Sequence, residues 1–128
     1  MNFGFRSGLS ALLLGFLALA PDASQAGSDE VAFSKQELQA FLTGKTYPLS
    51  SGAFYFESSD KMVALWKGKT EETTWRATDD SQFCYSLKMF GGEECLGLFK
   101  KGDDRLIQVF EGQRRKLKVS DVKEGKAF

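Results

Sequence analysis

Residues Trp75–Asp104, WRATDDSQFCYSLKMFGGEECLGLFKKGDD, hold both cysteines of the chain, Cys84 and Cys95. A hairpin centred between Met89 and Phe90 sets Cys84 directly opposite Cys95, Phe83 opposite Leu96 and Tyr85 opposite Glu94. Directly opposed side chains on neighbouring strands lie at disulfide distance. The same register puts Phe83, Tyr85, Leu87, Leu96 and Leu98 on one face, and Cys84, Ser86, Lys88 and Cys95 on the other. The first face reads as core and the second as an outer wall clipped by a disulfide. Zinc needs four ligands, and the chain has no histidine and no CxxC pair. A catalytic dithiol would want CxxC spacing as well. The pair therefore reads as a structural staple in an oxidising compartment.

The N-terminus points to the same compartment. Arg6 is the only charge before Asp22, and the run LSALLLGFLALA over residues 9–20 has signal-peptide length. It is too short for a good membrane span, and the small, polar PDASQA follows it. Cleavage is expected after Ala26, giving a signal peptide over residues 1–26 and one domain over 27–128. The destination is the periplasm or the medium, with no stable membrane anchor. Cleavage removes one of seventeen basic residues, Arg6, and one of seventeen acidic residues, Asp22, so the mature chain stays neutral. A neutral chain has no overall field to draw it onto nucleic acid, and none is expected as a partner. Nothing in the pattern calls for self-association, so the expected state is a monomer.

Outward from the hairpin, residues 27–31 read as a leader. Ser34 with Glu37 forms a capping box, and Leu38, Phe41 and Leu42 share a helical face that ends at Gly44. This short helix is expected to lay its apolar stripe over one end of a barrel. From Lys45 onward the period is that of strands. Eight are expected, over 45–50, 52–58, 61–67, 72–78, 82–89, 95–101, 105–111 and 115–122, separated by Gly, Ser and Asp clusters. Pro48 places the first of them at an edge or a closing position. The fold class is all-β: an eight-stranded up-and-down antiparallel barrel or half-barrel, lipocalin-like, with one N-terminal helix.

With Trp75, Cys84 and Cys95 placed, the segment from Leu42 to about Val119 resembles a family of small exported proteobacterial proteins known as domain of unknown function 995. The resemblance rests on LTGKT opening the domain, WKGK with TTW after it, FC then C one hairpin later, and KKGDDRL leading into the next strand. Thr74 stands where the family usually carries a glycine before the tryptophan. The resemblance implies fold and export, and brings no chemistry with it.

The absence of histidine removes the commonest general base and the usual Ser–His and Cys–His activations. No glycine-rich phosphate loop is present. Four acidic doublets, Glu71-Glu72, Asp79-Asp80, Glu93-Glu94 and Asp103-Asp104, lack EF-hand spacing and read as solvated turn residues. No enzyme activity, cofactor or metal is expected. The basic cluster Arg114, Arg115, Lys116 is the candidate anion-binding site, although Lys116 and Lys118 alternate with Leu117 and Val119 as a solvated edge would.

In Met62-Ala64-Trp66 and Thr73-Trp75-Ala77, the neighbours of each indole along its face are small or flexible. Room is therefore expected beside the rings, in a small cavity between Phe54, Trp66, Trp75 and Tyr85 that opens toward one rim. The expected function is a non-enzymatic exported module holding a small apolar or glycan-like ligand. The alternative is a protein-binding envelope factor, such as an inhibitor of a host or envelope hydrolase. A lined cavity of a few hundred cubic ångströms would favour the first, and an exposed aromatic patch the second.

Overall fold

The computed structural model describes residue 27 and residues 29–128. The signal peptide expected over residues 1–26 lies outside them. The described residues form a curled antiparallel half-barrel with one α-helix. Its strands are β1 (Val31–Ala32), β2 (Lys45–Pro48), β3 (Gly52–Phe56), β4 (Lys61–Trp66) and β5 (Lys69–Ala77). They continue with β6 (Gln82–Leu87), β7 (Gly92–Lys101), β8 (Arg105–Phe110), β9 (Gln113–Lys118) and β10 (Lys123–Glu124). From β2 to β9 each strand pairs with its sequence neighbour, and β10 adds to the free side of β2.

Among the described residues ten strands stand where eight were expected. The additions, β1 and β10, are two residues each, too short for alternation to register in the sequence. Val31, assigned to the leader, pairs with Lys100, and Ala32 with Phe99. Lys123 and Glu124 pair with Thr46 and Lys45.

The central hairpin has the expected register, with Phe83 opposite Leu96, Cys84 opposite Cys95 and Tyr85 opposite Glu94. A single 3₁₀ turn, Lys88–Phe90, makes the bend, and Gly91 follows at φ 85°. Cys84 and Cys95 are bonded. They lie on the face opposite Phe83, Tyr85 and Leu96, outside the main core, yet Cys84 is buried. That outer face of β7 and β8 carries its own small apolar cluster, Phe99, Ile107 and Val109.

β5 turns the corner of the half-barrel. Its residues Lys69–Thr74 pair with β4, and Trp75–Ala77 pair with β6. Gly52 is needed where β3 meets β4, because a Cβ there would sit 1.8 Å from the carbonyl oxygen of Leu65.

The helix α1 (Lys35–Leu42) starts on the capping box. The Glu37 amide donates to Ser34 Oγ at 3.1 Å, and the Ser34 amide donates to the Glu37 carboxylate at 2.9 Å. Leu38 and Leu42 are fully buried in the main core, while Phe41 packs on Phe33 with ring centroids 5.3 Å apart. The helix packs against β5 and β2. Gly44, just past it, donates to the carbonyl of Phe56, and Gln39 reaches the carbonyl of Ser59. Both contacts tie α1 to the end of the half-barrel formed by the β3–β4 connection. Among the described residues, no α-helix lies over the other end, at Pro48, Gly52, Trp66 and Phe110.

Along the seam the sheet does not close through backbone bonds. β10 pairs only with Lys45 and Thr46, so Tyr47 and Pro48 have no ladder partner on that side. Side chains bridge the gap to β8 and β9. The Tyr47 hydroxyl donates to Gln108 Oε1 at 2.6 Å, and Arg115 Nη2 donates to the same oxygen at 3.1 Å and to the Pro48 carbonyl at 2.6 Å. Proline has no amide to offer a ladder, but its carbonyl still accepts.

Candidate functional site

A cavity of 340 Å³ opens at the end away from α1. Five rings line it: Phe54, Trp66, Tyr85, Phe90 and Phe110. Phe54 and Tyr85 meet with centroids 4.7 Å apart, and Trp66 stands edge-to-face on Phe90 at 5.4 Å. Such tilted and edge-on contacts are the favoured aromatic geometries. Leu49 and Leu96 complete the apolar wall, while Ser50, Glu94, Gln108 and Arg115 supply the polar atoms. Phe54 and Tyr85 are buried, whereas Trp66, Phe90 and Phe110 are half-buried toward the mouth.

Of the four aromatics expected around a cavity, Phe54, Trp66 and Tyr85 lie in its wall and Trp75 does not. Trp75 belongs to the closed end. Its ring packs on Phe56 at 4.6 Å, and its Nε1–H donates to the Ser58 carbonyl at 2.9 Å. The small neighbours Thr73 and Ala77 left no space, because Phe56 of β3, two strands away in the sheet, fills it.

The basic cluster is divided by strand alternation. Arg114 and Lys116 are exposed, while Arg115 points inward with Leu117 and lines the cavity. Arg114 is paired with Glu30 just before β1. That hydrogen bond holds the Glu30 carboxyl below its usual range, against the opposing effect of burial. The three cations therefore do not converge on one anion site.

Arg115 is the cation in the wall, which also carries Glu94. Its Nη2 serves the Pro48 carbonyl and Gln108, its Nε has no acceptor among the described residues, and no ion pair among them includes it. Glu94 accepts from the Tyr85 hydroxyl at 3.1 Å. Burial first, then the Glu94 charge, raises the Tyr85 pKa, so this phenol stays protonated and donating. Tyr47, fully buried behind Gln108, is raised by burial in the same way.

Gln108, Glu94, Phe90 and Phe110 were not foreseen as wall residues. The signal existed for Gln108, a polar residue on the inward face of β8 with Leu106. It existed for Arg115 as well, since it shares strand parity with Leu117. Glu71 also departs from the solvated-turn expectation: its carboxylate accepts the amides of Lys88 at 2.7 Å and Met89 at 3.1 Å, capping the hairpin turn. Among the described residues, no three His, Cys, Asp or Glu side chains converge to hold a metal ion.

Fold and cavity together define a disulfide-clipped antiparallel half-barrel with an aromatic-lined, one-ended cavity. The family described as "Protein of unknown function (DUF995)" matches residues 10–96, and the chain belongs to that family. The match begins well before Leu42, where the sequence motifs begin, and ends inside β7. No curated protein and no solved structure matches the chain. A buried disulfide fits a protein that works outside the cytoplasm.

Proposed function

We propose that the protein is a non-enzymatic exported binding module whose half-barrel holds a small apolar or glycan-like ligand at the end opposite α1. The cavity carries this reading. At 340 Å³ it falls within the range of small-molecule sites, and rings with a few polar groups are how such sites are built. Large exposed apolar side chains among the described residues are Val31 and Phe128. These two do not form the aromatic patch that a hydrolase inhibitor or other envelope-protein partner would favour.

The two indoles make the test direct, because only Trp66 touches the cavity. In a Trp75→Phe variant the remaining fluorescence comes from Trp66 alone. A panel of phenolics, short carboxylic acids and short glycans should contain compounds that shift this emission and raise the melting temperature. The stabilisation grows with free ligand, reaching about 2.7 kcal/mol at a hundredfold excess over the dissociation constant. A panel without any response in either measurement would remove the small-ligand reading.

Export is the second part of the proposal, supported by the apolar run before residue 21 and by the disulfide. Intact mass of the protein from a periplasmic or medium fraction should correspond to a chain beginning at Gly27. Recovery only as the full-length chain in the cytoplasm would end this part of the reading.

A further inference from the structure

We infer that the cavity is built for an organic monocarboxylate with a compact, preferably aromatic body, and that Arg115 anchors its carboxylate. The inference rests on the binding function proposed above and names its ligand class. Arg115 is a fixed cation in the wall of an otherwise largely apolar cavity, without a carboxylate partner among the described residues. A charge in such surroundings is costly unless paired. A guanidinium has five N–H donors, and a carboxylate is the planar acceptor that fits its fork. The Pro48 carbonyl and Gln108 already hold the group in place through Nη2, so little ordering remains for a ligand to impose.

Position along the strands orients the ligand. Arg115 lies opposite Gln108, and Gln108 opposite Leu98, so all three share one level of the half-barrel. Glu94 is four residues nearer the open rim on β7, roughly 13 Å along the strand. Arg115 holds the Pro48 carbonyl at the open end, so the carboxylate would sit at the seam near the mouth, with the body against the buried rings of Phe54 and Tyr85. A second acid group on the ligand would face Glu94, which restricts the ligand to one charge. The volume sets its size. A cavity of about 150 Å³ accommodates benzene. At 340 Å³ this one suits a molecule of roughly ten to fourteen non-hydrogen atoms, scaled from that case.

Three probes with one body and different heads test the inference: 4-phenylbutyrate, 4-phenylbutanol and 4-phenylbutylamine, titrated calorimetrically into the disulfide-bonded mature protein. The acid should bind at least about tenfold more tightly than the alcohol, with the amine weakest. In Arg115→Gln the acid should lose this advantage while the alcohol keeps its affinity within about threefold. Arg115 also bridges the seam, so a folded Glu94→Gln protein provides an independent check. Removing the opposing charge should tighten the acid and leave the alcohol unchanged.

Equal binding of acid and alcohol would overturn the carboxylate assignment while leaving the cavity a binding site. Preference for the amine would transfer the anchoring role to Glu94 and overturn it too. An acid preference that persists undiminished in Arg115→Gln would remove Arg115 as the anchor. If none of the three binds, the inference falls, and the broad panel above decides the binding function by itself.

Discussion

Replacing Cys84 with alanine and Cys95 with serine together is expected to lower the unfolding midpoint by about 10–20 °C without abolishing the fold. The bridge joins residues 11 apart in sequence. Closing a loop of that length removes about 3 kcal/mol worth of chain entropy from the unfolded state. In a domain of about 100 residues each kcal/mol corresponds to roughly 4–8 °C. Alanine is the proper replacement at position 84, because Cys84 is buried and a serine hydroxyl there would add a desolvation cost unrelated to the crosslink. The hairpin should survive, since Phe83, Tyr85, Leu87, Leu96 and Leu98 hold it to the core on the other face. Thermal melts followed by circular dichroism provide the measurement. A midpoint within about 2 °C of the unmodified protein would show that the staple does not stabilise the domain. In the native protein both cysteines should resist a thiol reagent until a reductant is added.

Ser81→Ala should cost about 2–4 kcal/mol, a loss comparable with that of the disulfide, although a single oxygen is removed. Ser81 is fully buried and sits in the left-handed region at φ 61°. Its Oγ accepts the Phe33 amide at 2.8 Å and donates to the Leu98 carbonyl, while its own carbonyl accepts the Leu98 amide at 2.8 Å. One residue thus joins the segment entering α1 to the middle of β7. Removing the hydroxyl leaves the Phe33 amide and the Leu98 carbonyl without that partner, and a buried polar group stripped of its bond costs about 1–3 kcal/mol. The melting temperature should fall by roughly 10–20 °C, and hydrogen exchange at the Phe33 amide should accelerate before global unfolding. Ser81→Gly suits the left-handed backbone and would recover part of the loss, on the order of 1 kcal/mol. A stability of Ser81→Ala within about 0.5 kcal/mol of the parent would show that water or rearrangement replaces the hydroxyl.

Much of this architecture was legible in the chain because the signals are local. Period-two alternation assigned faces, so Phe83, Tyr85 and Leu87 were expected on the core face together, and all three are buried. A short glycine-ended loop sets the register of the β6–β7 hairpin, and that register brings Cys84 to Cys95. The capping box at Ser34 and the stop at Gly44 bound α1 with residues no more than a turn away.

What a residue meets across the half-barrel has no such local signature. Trp66 and Trp75 sit on neighbouring strands among similarly small neighbours, yet one borders the cavity and the other is packed. The difference lies in Phe56 and in α1, which covers one end of the sheet only. Arg115 reads as one member of a basic run, but its carbonyl partner Pro48 is 67 residues away and its role at the seam depends on where β2 and β9 come to rest. Ser81 reads as a turn residue, and only Phe33, 48 residues earlier, makes it a structural node. Sequence by itself determined strand faces, the central hairpin's register and the staple, all decided within a few residues by backbone geometry. Tertiary structure alone decided which end stays open and which polar groups face inward, because those depend on contacts between residues far apart in the chain.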